Sequence, residues 1–197
     1  MSMKNLVIYA HPNVEGHCSH ILAEVKEQLG NCDIIDLYKL KYDPVLHKNE
    51  LYTKGKKAID KLNKSFQQKI KKADNLIFIY PVWWGTMPAI LKGFFDKVLT
   101  SPFAFQFVVK PFVSIIAGYL PEGRLKGKKA AVFVTTGAKK WQGKLIGEKF
   151  KYIIRDDILG FCGIRAKIFQ LANCKKWDAK RQPEIKRLVK QGLKFLK

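Results

Sequence analysis

The sequence predicts an α/β fold in which a five-stranded parallel sheet carries helices on both faces. Short, β-rich apolar runs recur along the chain, and each is followed by a segment whose apolar residues fall at helical spacing. The clearest run, Asn75–Tyr80 (N-L-I-F-I-Y), is apolar from Leu76 onward, as a strand buried on both faces of a parallel sheet must be. The strand–helix alternation repeats five times, and right-handed crossovers of such units cover both sides of the sheet.

The first strand is predicted at Lys4–Ala10 (K-N-L-V-I-Y-A), ending at His11-Pro12. After the loop Asn13–Gly16, Ile21, Leu22, Val25 and Leu29 mark a helix that Gly30 closes. Asp33–Leu37 reads as the second strand and Tyr38–Leu51 as a loop with a turn at Asp43-Pro44. Lys54–Lys72 reads as a lysine-rich helix with Ala58, Ile59, Leu62, Phe66 and Ile70 on one stripe. Pro81 stops the third strand, and Pro88 opens a helix to about Leu99, where its missing N–H is harmless. Phe103–Gly118 reads as an irregular apolar excursion over one end of the sheet. Lys129–Val134 and Gly163–Leu171 are the remaining strands, with helices expected at Lys144–Leu159 and Pro183–Phe195.

At 197 residues, with 47% hydrophobic and 12% aromatic residues, the chain is read as one domain over 1–197 with ample core material. No apolar run reaches the ~18–20 residues needed to span a bilayer, and Leu6–Ala10 is too short for a secretory core, so a cytoplasmic location is expected. Cys18, Cys32, Cys162 and Cys174 are widely spaced, which fits free thiols in a reducing compartment better than a disulfide framework. The net charge of +21 is spread over several lysine-rich segments, and no helix-turn-helix, zinc-finger or aromatic RNA-binding signature accompanies it. Nucleic acid is therefore not expected as the main partner; the positive field favours capture of phosphorylated small molecules.

Ligands of open parallel sheets bind beyond the carboxyl ends of the strands. Three strand ends carry suitable groups. The first, H-P-N-V-E-G-H-C-S-H, leads into a helix whose N-terminal N–H groups suit a phosphate; His11, His17, Cys18, Ser19 and His20 stand there, although Ser19 alone also reads as a plain helix cap. His17 and His20 have metal-ligand spacing, but no carboxylate or second cluster completes a set, and no metal is assigned. The second, Pro81-Val82-Trp83-Trp84-Gly85, offers apolar walls for a flat ring and a glycine that lets backbone approach it. The third, Thr135-Thr136-Gly137, adds two hydroxyls after a buried strand. Lys139 and Lys140 follow, either as solvated cations or as a draw for a pyrophosphate.

On these residues the chain resembles the NAD(P)H:quinone oxidoreductase family of flavodoxin-like flavoproteins, which includes ancillary proteins of potassium efflux systems. The most specific part is P81-V-W-W-G-T-M-P-A-I-L-K-G-F-F-D-K-V, supported by L6-V-I-Y-A-H-P, F103-A-F, G123-R-L-K-G-K-K-A-A-V-F-V-T-T-G and I158-L-G-F-C-G. The resemblance implies a flavodoxin-like three-layer sandwich and two-electron, ping-pong hydride transfer from NADH or NADPH through FMN, or alternatively FAD, to a quinone-like acceptor. It implies that His11, His17, Cys18, Ser19 and His20 hold the flavin phosphate and ribityl chain. Pro81, Val82, Trp83, Trp84 and Gly85 would wrap the ring, Thr135, Thr136 and Gly137 would close its other edge, and Phe103 and Phe105 would line the substrate side. A homodimer is implied; a non-enzymatic electron carrier and a regulatory subunit on a membrane-protein partner are the alternatives. Where many members carry a second glycine, a tyrosine and a histidine, A138-K-K-W-Q-G-K-L-I-G carries none at the matching positions, so no catalytic side chain is assigned; Trp141 is the residue there able to close a pocket.

Overall fold

A computed structural model describes residues 3–51, 60–109, 119–145 and 148–197. Five parallel strands form the main sheet: β1 (Asn5–Tyr9), β2 (Asp33–Asp36), β3 (Asn75–Pro81), β6 (Lys129–Thr135) and β7 (Arg165–Leu171), in the order β2-β1-β3-β6-β7. The main sheet is thus the five-stranded parallel one expected. Every residue of β3 is buried, because it sits at the centre with helices above and below.

Alternation along the strands divides the core. Leu6 and Ile8 of β1 face one layer with Phe66 and Ile70 of α2 (Lys61–Lys72) and Leu91 and Phe94 of α3 (Ala89–Val98). Val7 and Tyr9 face the other, with Cys18, Ile21 and Val25 of α1 (His17–Leu29) and Ile185, Val189 and Leu193 of the C-terminal helix (Gln182–Leu196). The period of two in each strand thus feeds two separate apolar layers.

Several expectations need correction. The excursion at Phe103–Gly118 is not irregular at its start: β4 (Phe105–Val109) pairs antiparallel with β5 (Tyr119–Gly123) as a two-stranded unit outside the main sheet, and residues 110–118 lie outside those described. Pro121 and Gly123 hid β5, since both are poor strand residues in a central position. The helix expected at Lys144–Leu159 is broken into α4 (Lys140–Leu145) and α5 (Lys149–Tyr152), the latter continuing as π-helical turns over Ile153–Gly160. Glu148, with φ 41°, stands in the left-handed region just before α5, which no continuous right-handed helix permits. Helix α2 is capped by Asp60, whose carboxylate accepts from the Asn63 N–H at 2.9 Å; Ala58 and Ile59 lie outside the described residues, and Leu62 is exposed.

The segment after β2 is tied down rather than free. Lys97 of α3, 5% exposed, pairs with the buried Glu50 carboxylate at 3.3 Å and donates to the carbonyls of Asp43 and Val45. Next to it, Gly93 lets the backbone of Pro44 seat directly on α3; a Cβ there would overlap the Pro44 carbonyl oxygen. Gly93→Ala is expected to lower stability by about 1–3 kcal/mol, because neither backbone can yield. A shifted midpoint in urea unfolding with an unchanged slope is the measurement that checks it.

Candidate functional site

The carboxyl ends of the strands are staggered. Tyr9 is level with Ile79, whereas β3, β6 and β7 run on together to Pro81, Thr135 and Leu171. The order reverses between β1 and β3, which run outward to opposite sides, and this is where such sheets open a crevice. A cleft of about 680 Å³ lies there, lined by His11, Asn13, Gly16, His17, Cys18, Pro81–Trp84, Thr135–Gly137, Cys174 and Lys175. The three strand ends singled out in the sequence therefore meet in one place.

The first loop turns sharply into α1. Asn13 N–H donates to His11 Nδ1 at 2.9 Å, and the Asn13 side-chain oxygen accepts from Glu15 N–H at 2.8 Å. The Asn13 carbonyl oxygen lies 3.2 Å from the same Nδ1, so the backbone of Asn13 fixes the ring at the mouth of the cleft. Gly16 is the N-cap of α1, with no side-chain cap and no acidic residue in the first turn. The positive end of the helix is thus left open to an anion. Ser19 and His20 do not line the cleft. The Ser19 hydroxyl donates back to the Gly16 carbonyl at 2.6 Å, and His20 stacks on Trp177 with ring centroids 3.6 Å apart.

His17 and Cys18 form the inner wall. His17 is only 7% exposed; Trp177 meets it edge-on, and its Nε2 has no hydrogen-bond partner among the described residues. Burial, with Arg181 and His20 nearby, pulls its pKa below the ordinary imidazole value, against a smaller opposing pull from Glu184. Cys18 Sγ lies 3.3 Å from Thr135 Oγ1, and burial pushes its thiol up to about 12. Cys174 is likewise pushed up to about 11 by burial. Both are protonated at neutral pH and act as packing and weak hydrogen-bonding groups rather than nucleophiles.

The second loop is a tight hairpin turn. Trp83 N–H donates to the Thr86 carbonyl at 2.9 Å and Thr86 N–H returns to Trp83 at 3.1 Å, with Trp84 at φ 50° and Gly85 at φ 73°. Glycine suits this geometry and tryptophan does not, yet Trp84 stands there with its side chain fully exposed. Gly85 shapes the turn without lining the cleft. The third loop is locked to a fourth that sequence reasoning missed: Thr136 N–H donates to Leu171, Asn173 N–H to Ala138 and Cys174 N–H to Thr136. Arg181 organises this fourth loop by donating to the carbonyls of Ala172 and Asn173. N-C-K-K-W (173–177) has neither a long apolar run nor a glycine, so nothing in it signalled a site wall; Trp177 was its one cue.

Phe103 and Phe105 lie elsewhere. Phe103 packs against the core layer of α2 and α3, and Phe105 lines a separate hollow with Phe95, Leu99, Ile158 and Phe161. Trp141 is exposed and does not border the cleft. Among the described residues no group of three or more His, Cys, Asp and Glu side chains is placed to hold a metal ion.

Strand order and cleft position define a doubly wound α/β protein with a cleft at the switch point. The chain belongs to the family described as flavodoxin-like fold, whose profile matches residues 3–192. It is 29% identical over 176 residues to a Haemophilus influenzae protein named as an uncharacterized NAD(P)H oxidoreductase, covering 86% of this chain and 83% of that one. It is 28% identical over 195 residues to the mouse ribosyldihydronicotinamide dehydrogenase [quinone], covering 86% and 80%. A solved structure, Smu.1420 from Streptococcus mutans UA159, superposes with a TM-score of 0.82 at 27% identity over 96% of this chain and 98% of the other. The expected kinship with NAD(P)H:quinone oxidoreductases is borne out, and with it the classification as an oxidoreductase.

Because burial lowers the pKa of His17 and His11, the unfolded chain binds protons around and below the ordinary imidazole value of 6.5 more readily than the folded chain does. Their contribution is present above that value and lost as pH falls. Stability of the ligand-free protein is expected to decline from pH 7 to 5, and His17→Phe to flatten that decline, as read by denaturant midpoints across the range.

Proposed function

We propose that the chain is a flavin-dependent NAD(P)H oxidoreductase that reduces quinones or similar flat acceptors, with FMN held in the switch-point cleft. The observation that carries this reading is Trp84, an exposed aromatic held in a left-handed turn at the lip of a polar cleft. Such strain and exposure serve a ligand better than they serve the fold.

The residues present fit a flavin. The cleft volume lies in the range of small-molecule sites, its floor is an uncapped helix N-terminus, and His17 Nε2 is a buried polar atom without a partner. In this reading His11, His17, Cys18, Ser19 and His20 form the segment that holds the phosphate and ribityl chain, the last two by shaping the first turn. Lys175 adds a positive charge at the rim. Pro81, Val82, Trp83, Trp84 and Gly85 bracket the ring, opposite Thr135, Thr136 and Gly137. A flavin held there would supply the hydride chemistry between a reduced nicotinamide and the acceptor. The chain positions both ligands on one open face in turn, which is a ping-pong order, and backbone N–H groups at the two turns stabilise negative charge there.

In a homodimer whose second subunit completes the site, Phe105 of the β4–β5 unit would serve the acceptor side, with Phe103 anchoring that unit on the core layer of α2 and α3. The four free cysteines agree with a reducing, cytoplasmic setting. No helix among the described residues is long and apolar enough to cross a membrane.

Incubation with FMN or FAD followed by desalting is expected to leave a yellow protein that oxidises NADH or NADPH with a quinone; a colourless, inactive product refutes the reading. Trp84→Gly is expected to weaken flavin binding about tenfold while holding or raising the unfolding midpoint, since it relieves the left-handed strain. Fluorescence titration with FMN and thermal unfolding separate the two effects.

A further inference from the structure

A second hollow of about 580 Å³ runs along the outer side of β7, lined by Lys140, Lys151, Lys167, Gln170, Lys194 and Phe195, with Ile168, Phe169 and Leu188 in its floor. Among the described residues β7 pairs only with β6 in the main sheet, and residues of its other edge line this groove. Lys167 lies over the rings of Phe169 and Phe195, at 5.7 and 6.0 Å from their centroids. Lys140, Lys167 and Lys194 make no ion pair among the described residues, whereas Lys151 is paired with Glu148 at 2.6 Å. Gln170 turns its amide nitrogen to Thr136 Oγ1 at 3.2 Å, and its side-chain oxygen is buried with no partner. Thr136 is a wall of the flavin cleft. One side-chain hydrogen bond therefore joins the two hollows.

We infer that this groove binds the phosphorylated adenosine half of the nicotinamide donor, and that its lysines select NADPH over NADH. The inference rests on the reading of the adjoining cleft as the site of hydride transfer. Three lysines without carboxylate partners provide for phosphate, including a ribose phosphate that NADH lacks. The rims of Phe195 and Leu188 give an apolar surface for a flat base, and the Gln191 amide offers hydrogen bonds to its edge. Lysines on an edge strand also deter pairing with other chains. That role needs charge alone; it does not account for an aromatic floor or a hydrogen-bonded link to the cleft.

The test uses adenosine 2′,5′-bisphosphate as a probe, which carries the phosphates without the nicotinamide. Its binding to the flavin-loaded protein is measured by calorimetry for the unmodified chain, for Lys167→Glu with Lys194→Glu, and for Lys64→Glu with Lys71→Glu. The last pair lies on α2 and makes the same change in net charge. The groove variant is expected to bind the probe at least about tenfold more weakly than the α2 variant. Its KM for NADPH should rise by a similar factor, with kcat and the KM for reduced nicotinamide riboside unchanged. Equal probe affinity in the two variants overturns the inference, as does a preference of the unmodified protein for NADH. Tighter binding of a short single-stranded RNA than of the probe, lost in the groove variant, also overturns it. Failure of the unmodified, flavin-loaded protein to oxidise the riboside defeats the cleft reading instead, and the probe titration distinguishes that outcome.

Discussion

The stagger of the parallel strands is the constraint from which the site follows. β1 stops two residues short of its neighbour, while β3, β6 and β7 end together, so the loops leaving them cannot close over the sheet. Each must turn into a helix on one face or the other, and the reversal of direction between β1 and β3 parts them. The cleft is therefore a property of strand order and length before it is a property of any side chain. The apolar layers hold that order in place: a slip of one residue in β1 would exchange Leu6 and Ile8 for Val7 and Tyr9 between two differently shaped cores.

Onto this frame the loops bring unlike chemistries. The start of α1 offers positive dipole and nitrogen donors, the turn after β3 offers two indoles, and the end of β6 offers hydroxyls. Cross-bonds tie them together: Cys18 meets Thr135, Val82 N–H donates to the Thr135 carbonyl at 2.8 Å, the His11 and Trp83 rings lie 5.9 Å apart, and a ladder joins the β6 and β7 loops.

Much of the fold was legible in the sequence because buried parallel strands are near-continuous apolar runs. Asn75–Tyr80 and Lys129–Val134 could hardly be anything else. What escaped were elements whose local preference opposes their tertiary state. β5 contains a proline and ends in glycine, and its pairing with β4 depends on a partner many residues away. The helix read at Lys144–Leu159 has sound helical spacing, but Glu148 interrupts it and the turns after Tyr152 widen. At the site, the strand-end loops were readable from histidine, tandem tryptophan and threonine-glycine signatures. The fourth wall was not, since Cys174 and Lys175 are unremarkable in sequence and owe their place to the Arg181 guanidinium gripping two carbonyls. Ser19 and His20 show the converse: residue types suited to phosphate, turned by helix geometry toward the backbone and toward Trp177.

The ammonium of Lys97 acts as a tether for the crossover between β2 and α2. It is the buried cation to which the Asp43–Glu50 stretch is fastened, by two carbonyls and the carboxylates of Glu50 and Asp43. In a chain coated with freely accessible amines, this one is sheltered from acylating reagents as long as the crossover stays seated. Its late labelling, compared with the rest, would serve as a chemical clock for the opening of that segment.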